Sequence, residues 1–262
     1  MKAFRFWICI FCSFSFLGMP QEVFSKEKIQ VPDYVVDISK DNTYNLKKIA
    51  SKEVKPNEMT KHILEKSRVE IENPFLIQML NKNRMKNAPF AIGYRAEIYL
   101  GEWPIAYHSQ NTNVNWYYQK VNINYMDNQS EQKVVCMSYE QEANKEVRGG
   151  VTTQLQRMED VQRMIEVQAR KKTGLPLSFY TVVGAGTKGR GLYHVPAKHL
   201  GYLTAYVPAI HEEGEVTYAK VYLQLNGNQR RVCLRARNQK KVNAWIPIEN
   251  HIAFGFDYRS TR

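Results

Sequence analysis

From Ala91 to the C-terminal region, side-chain polarity changes with every residue rather than every third or fourth, and that period of two confines most of this chain to β-sheet. Ile92, Tyr94, Ala96, Ile98 and Leu100 alternate with Arg95, Glu97 and Tyr99, and Gly101 and Pro104 are expected to end this first strand. Val114, Trp116 and Tyr118 alternate next. Val121, Ile123 and Tyr125 fall on the opposite parity, so one strand through both sets needs a bulge or bend between them. Further strands are expected at Lys133 to Glu142, Leu177 to Val183, Leu192 to Val195, Tyr202 to Val207, Val216 to Leu225, Arg230 to Ala236, Ala244 to Ile248 and Ile252 to Phe256. Leu225-Asn-Gly-Asn228 reads as a hairpin, because Asn-Gly supplies the positive φ angles of a type I′ turn.

A single long stretch breaks this rhythm. Between Gln156 and Thr173, Met158, Val161, Met164, Ile165 and Ala169 form a helical stripe, Glu159 and Asp160 suit the first turn, and Gly174 and Pro176 stop it. Glu159 with Arg163 and Glu166 with Arg170 are i to i+4 pairs, so the charges on this helix have local partners. Two shorter helices are expected upstream, one over Glu58 to Lys66 and one opened by Asn73 and Pro74. The fold class is therefore α+β: a predominantly antiparallel β-sheet, as a sandwich or meander, with one long amphipathic helix and two short N-terminal helices.

The first 25 residues have a separate logic. Lys2 and Arg5 precede the apolar run Phe6 to Met19, and Val23-Phe24-Ser25 offers tolerated side chains for a signal-peptidase cut before Lys26. As a helix the run would span ~21 Å at ~1.5 Å per residue, short of the ~30 Å hydrocarbon core of a bilayer. The expected organisation is a signal peptide over 1–25, an extended N-terminal arm over 26–55 and a single β-rich domain over 56–262. An uncleaved N-terminal anchor is the alternative.

Charge then points to partners. The formal charge is +12 and falls to +11 once the signal leaves; Lys26 to Pro89 carries +4, Phe90 to Asn226 +1 and Gly227 to Arg262 +6. Outside the cytoplasm the anions on offer are lipid head groups and acidic envelope polymers, so nucleic acid is not an expected partner. Strict alternation would set Arg231, Cys233, Arg235 and Arg237 on one face of the last hairpin, and with Lys240 and Lys241 these make a basic stripe. A second anion candidate is the glycine-rich Gly184-Ala-Gly-Thr-Lys-Gly-Arg-Gly191, with Lys188 and Arg190. It lacks the strand-to-helix context of a P-loop and reads equally as a flexible connection. The remaining cysteines, Cys136 and Cys233, leave a single disulfide open against two separate buried thiols.

Patterns that would name a reaction are missing. No G-x-S-x-G elbow occurs, His194 and His199 stand five apart without an H-E-x-x-H context, and no metal or cofactor is expected. His211-Glu-Glu-Gly-Glu215 offers carboxylates but reads as a turn between strands. The many tyrosines and tryptophans suit cross-strand packing, or stacking on wall sugars where exposed.

Gly93-Tyr-Arg-Ala-Glu-Ile-Tyr-Leu-Gly-Glu-Trp-Pro104, Asn115-Trp116 with Tyr118-Gln-Lys120, and Val207-Pro-Ala-Ile-His-Glu212 with Gly214 and Val216-Thr-Tyr218 resemble the YfkD-like family over about Ile29 to Phe256. That resemblance implies an exported protein of spore-forming and related Gram-positive bacteria, and it brings no activity, cofactor or catalytic residue with it. Residues and resemblance together lead to an exported, envelope-associated protein, more a binder of an anionic polymer, lipid surface or envelope protein than an enzyme. A hydrolase acting on an envelope polymer is the alternative.

Overall fold

A computed structural model describes residues 29–44, 54–82, 95–227 and 229–260. The proposed signal peptide lies outside these residues, as do parts of the N-terminal arm. In chain order the elements are β1 (Val35–Asp37), α1 (Glu58–Ser67), α2 (Pro74–Lys82), β2 (Arg95–Asn128), β3 (Val135–Glu140), β4 (Lys145–Arg148), β5 (Gly150–Val151), α3 (Met158–Thr173), β6 (Tyr180–Val183), β7 (Lys188–Val195), β8 (His199–Asn226), β9 (Gln229–Pro247) and β10 (His251–Ser260). Among the described residues the protein is β-rich, its sheets are antiparallel, and three helices pack on them.

The organising element is β8. Its 28 residues would span about 90 Å at ~3.3 Å each, with β2 along one edge for nearly the whole length. The other edge is shared: β10 pairs with 199–206 and β9 with 209–226. This three-stranded ribbon is extended by β1 on β10 and β5 on β9, while β3–β7 and β4–β6 form two small separate sheets.

Two expected strand ends turn out to lie inside strands. Gly101 has φ 107° and sits at a register shift between Tyr99 and Gly101, and a second shift separates Pro104 from Ala106. Both residues serve bulges on an edge strand, the setting where a missing N–H or a positive φ is tolerated. The bulge required between Tyr118 and Val121 is present, as shifts between Asn115 and Gln119 and between Lys120 and Asn122. His211 to Glu215 likewise forms the middle of β8 rather than a turn. Gly214 is there because of a close approach: a Cβ on it would lie 2.3 Å from the His108 carbonyl oxygen and 2.5 Å from the Tyr107 hydroxyl. The last hairpin closes between Asn226 and Gln229, with Gly227 at φ 58°.

Every extra residue at these shifts belongs to β2 or β9, so β8 alternates without interruption. Its buried side chains nevertheless change parity twice. Leu203, Ala205 and Val207 enter one core with Met137, Tyr139, Val147, Val183 and Phe254. Ile210, Val216 and Tyr218 enter a second with Val161, Met164, Ile165 and Ala169 of α3. Ala219, Val221 and Leu223 enter a third with Leu76, Ile77 and Leu80 of α2 and Trp103 of β2. Because neighbouring strand residues point to opposite faces, the cover changes side from core to core, and each core leaves the reverse face of the ribbon open. Full burial of Val161 and Ile165 in the middle core contributes roughly 1.5–3 kcal/mol each.

Polar side chains fix the helices to this frame. Asn57 caps α1 by accepting the Thr60 N–H at 2.8 Å. Asn73, wholly buried, accepts the N–H groups of Phe75 and Leu76 at the start of α2 and donates to the Pro104 carbonyl at 2.8 Å and to Asp160 of α3 at 3.1 Å. In α3, Glu166 accepts from Arg163 at 2.9 Å and pairs with Arg170 at 3.0 Å.

Candidate functional site

The basic stripe lies at one end of the ribbon, where β2, β8 and β9 project alongside α1. Before a bulge at Ala236, Arg231, Cys233 and Arg235 face the same way, opposite Gln224, Tyr222 and Lys220 of β8. Ala236 has φ 51°, and three steps of β9, Arg235 to Asn238, span two of β8, Lys220 to Tyr218. That extra residue ends the strict alternation before Arg237, so the expected single-face stripe does not run on. Beyond it Lys240 pairs with Val216 and holds its ammonium 5.0 Å from the Tyr218 ring, while Lys241 pairs with Glu215 on the reverse face.

Arg235 is the most engaged of these cations. Its guanidinium donates to both oxygens of Glu97, at 2.6 and 3.1 Å, and lies 4.7 Å over the Tyr222 ring, which in turn packs on Tyr99 at 5.0 Å. The Glu97 charge raises the affinity of Arg235 for its proton. Lys220, Arg231, Arg237 and Lys241 are exposed nearby, as is Arg95 at the start of β2. Glu97 and Glu102 are the acidic residues on the same stretches of β2.

Lys188 and Arg190 are at the opposite end, on β7, and the structure does not bring them to the stripe. Lys188 stands 3.7 Å from Glu140. The glycine-rich segment is neither a free loop nor an open ring of N–H groups. Gly184 donates to Asn42 at 3.0 Å, Ala185 to Asn144 at 2.7 Å, Gly186 to the Gln141 carbonyl at 2.8 Å and Thr187 to the Gly184 carbonyl at 3.2 Å. Asn42 also donates to the Val182 carbonyl and to Asn250, so the segment docks the N-terminal arm.

Of the two readings open for the cysteines, the structure has separate thiols, neither of them fully buried. Both cysteines are free: Cys136 is exposed on β3 opposite His194, and Cys233 is on β9 opposite Tyr222. They sit at opposite ends of the ribbon, on the order of 60 Å apart at ~3.3 Å per residue of β8, whereas a bridge needs Cα atoms within ~7 Å.

The carboxylates of 211–215 are divided by strand alternation. Glu212 has no exposed surface and accepts from the Tyr107 hydroxyl at 3.1 Å and from Thr112 Oγ1 at 2.6 Å. Burial, the Glu212 carboxylate and the hydrogen bond to it hold the Tyr107 phenol well above its usual pKa. Glu213 points to the other face, 3.5 Å from His211, whose ring packs on Trp245. Among the described residues no group of three His, Cys, Asp or Glu side chains gathers as a metal site.

Sequence reasoning raised sugar stacking by exposed strand aromatics without singling out the row of tyrosines that lies on the open face behind the first core. Tyr202 meets Tyr125 across β8 and β2 at 5.5 Å, Tyr206 meets Tyr117 edge-on at 5.2 Å, and Tyr34 stacks on Tyr117 at 5.5 Å with planes 6° apart. Alternation of Tyr202, Thr204 and Tyr206 against Leu203, Ala205 and Val207 carried the signal. The chain alone did not say which of those two faces would be covered.

These features define an elongated antiparallel β-ribbon protein with a cationic hairpin at one end and an aromatic open face at the other. The chain belongs to the YfkD-like protein family, whose model matches residues 32–262. A protein of Bacillus subtilis (strain 168) named "Uncharacterized protein YfkD" is 42% identical over 259 residues, covering 99% of this chain and 98% of its own length. A crystal structure of a lamprey immune protein overlaps 63% of this chain and 53% of that chain at 8% identity, with a TM-score of 0.27, too low to argue a shared fold.

Proposed function

We propose that this is an exported, envelope-associated, non-catalytic protein whose β8–β9 hairpin end meets an anionic envelope polymer or lipid head-group surface. The observation that carries the reading is the concentration of exposed Lys220, Arg231 and Arg237 towards one end of a long ribbon, with Arg235 already held by Glu97 and Lys241 farther along β9, opposite Glu215. Cations gathered on a projecting end raise the local potential and steer an anionic partner. Export is supported by the charged, apolar and small-residue succession of Lys2 to Ser25. The hydrolase alternative loses its best carboxylates, because Glu212 is inside a core and Glu213 points away from it.

Binding of the protein lacking residues 1–25 to anionic vesicles and to purified anionic wall polymer tests this. It should weaken steeply with salt, since exposed charges are screened within ~8 Å at physiological ionic strength. An Arg231→Ala, Arg237→Ala, Lys241→Ala triple variant should lose most of it. Unchanged binding by that variant removes the hairpin end from the account.

A further inference from the structure

We infer that the open tyrosine face is a docking strip for an uncharged saccharide chain, distinct from the cationic hairpin end. The face is formed where β2, β8 and β10 run side by side. Leu203, Ala205 and Val207 are turned into the core and at most 1% exposed, so Tyr202, Thr204 and Tyr206 must point the opposite way. Their neighbours across the strands complete the surface. Tyr202 lies opposite Tyr125 and Asp257, Thr204 opposite Ile123 and Gly255, and Tyr206 opposite Lys120 and Ala253.

Four of these large side chains are open to solvent: Tyr34 by 40%, Tyr117 by 47%, Ile123 by 41% and Tyr125 by 54%. So much apolar surface in one row is unusual on a protein face that meets only water. Two tyrosine groups, Tyr125 with Tyr202 and Tyr117 with Tyr206, are centred four residues apart on β8, about 13 Å at ~3.3 Å per residue. Between them Thr204 and Gly255 keep the floor low. A Cβ on Gly255 would come within 3.7 Å of the Tyr206 ring, so glycine leaves the flank of that ring clear.

The chemistry of the row selects the occupant. Five of the six large side chains are tyrosines, each with a flat apolar face and a hydroxyl at its end, which suits a partner that alternates C–H faces with hydroxyl edges. Lipid tails would be better met by aliphatic residues ringed with Lys and Arg. Here the rim is balanced: Lys120 and Arg259 stand against Asp33, Asp127 and Asp257, with Arg259 3.8 Å from Asp257 and 5.6 Å over the Tyr202 ring. A face without cationic excess offers no advantage to an anionic polymer, and Asp127 and Asp257 would accept hydrogen bonds from sugar hydroxyls. A neutral pyranose chain matches both the rings and the rim. Which saccharide it meets rests on the proposed export, which would expose the strip to wall glycan.

The test is calorimetric and NMR titration of the protein lacking residues 1–25 with chito-oligosaccharide and with uncharged wall glycan. Saturable binding is expected, insensitive to salt and retained by the Arg231→Ala, Arg237→Ala, Lys241→Ala variant, which separates this strip from the hairpin end. Tyr117→Ala, Tyr125→Ala and Tyr202→Ala should each weaken binding about three- to tenfold, with Tyr202→Phe close to the parent because it keeps the ring. Circular dichroism and thermal midpoints of these variants establish that they fold. No saturable binding to either probe overturns the inference, and so does binding that the folded Tyr125→Ala and Tyr202→Ala variants leave unchanged. Self-association that buries the strip, seen as a dimer dissolved by Tyr125→Ala without glycan binding, overturns it as well.

Discussion

The Tyr107 hydroxyl donates to Glu212 Oε1 at 3.1 Å inside the middle core, and Thr112 supplies the second donor at 2.6 Å. A carboxylate without exposed surface depends on such donors, because no water replaces them. Tyr107→Phe removes one donor and should cost about 1–3 kcal/mol in urea unfolding. Glu212→Gln keeps an acceptor for one of the hydroxyls and should cost less than Glu212→Ala, which strands both. Equal midpoints for Tyr107→Phe and the parent protein would mean the network contributes nothing to stability.

Gly214 sits where the β2 backbone comes close to β8. An added methyl would meet the His108 carbonyl oxygen, which is backbone and cannot swing aside. Gly214→Ala should therefore destabilise by about 1–3 kcal/mol or more, the range for overpacking. An unchanged thermal midpoint for this variant would show that the two backbones do not approach this closely at Gly214.

That residue also explains where the sequence was and was not legible. Period-two alternation located most of the long strands, the bulge near Tyr118 and the hairpin at Asn226, and helical spacing and caps located the three helices among the described residues, because these are local consequences of side-chain parity and capping. The short β1, β4 and β5 carry too few residues to show a period, and β9 runs on through the break expected after Ala236. Gly101, Pro104 and Gly214 misled, since the same residue types mark a turn or permit a close approach, and only the neighbouring strand decides which. The pairing of three distant runs into one long ribbon is equally non-local. The basic hairpin was visible residue by residue, but the Ala236 bulge that redirects Arg237 was not: Ala has no special liking for positive φ. The tyrosine face was hidden for a related reason. Cover from β3, β4, β6 and β7 falls on one side of β8 by tertiary packing, which alternation alone cannot assign.

Separation of the cysteines gives a direct chemical expectation. With Cys136 and Cys233 at opposite ends of the ribbon, no intramolecular bridge can form without unfolding. Denatured, unreduced protein lacking residues 1–25 should titrate with two thiols per chain, and Cys136, being exposed, should react first in the native state. A mass two hydrogens lighter than the reduced chain, with no reactive thiol, would contradict the ribbon.

Alkaline pH should find the buried phenols. Burial, with the charges of Asp160 and Glu102, pushes Tyr218 up to about 12, and Tyr107 and Tyr139 are shifted in the same direction, above it. In the unfolded chain a tyrosine loses its proton near pH 10. Between that value and the folded one the native state holds protons that the unfolded state has released, so stability is full below about pH 10 and falls as pH rises, by at most ~1.4 kcal/mol per pH unit for each such group. Tyrosinate absorbance should accordingly rise in two stages, one reversible and the second, from the buried phenols, only as the fold is lost. Tyr107→Phe should reduce the steepness of the second stage, even though it lowers stability at neutral pH. Simultaneous titration of all tyrosines in a still-folded protein would show that these three rings are open to water.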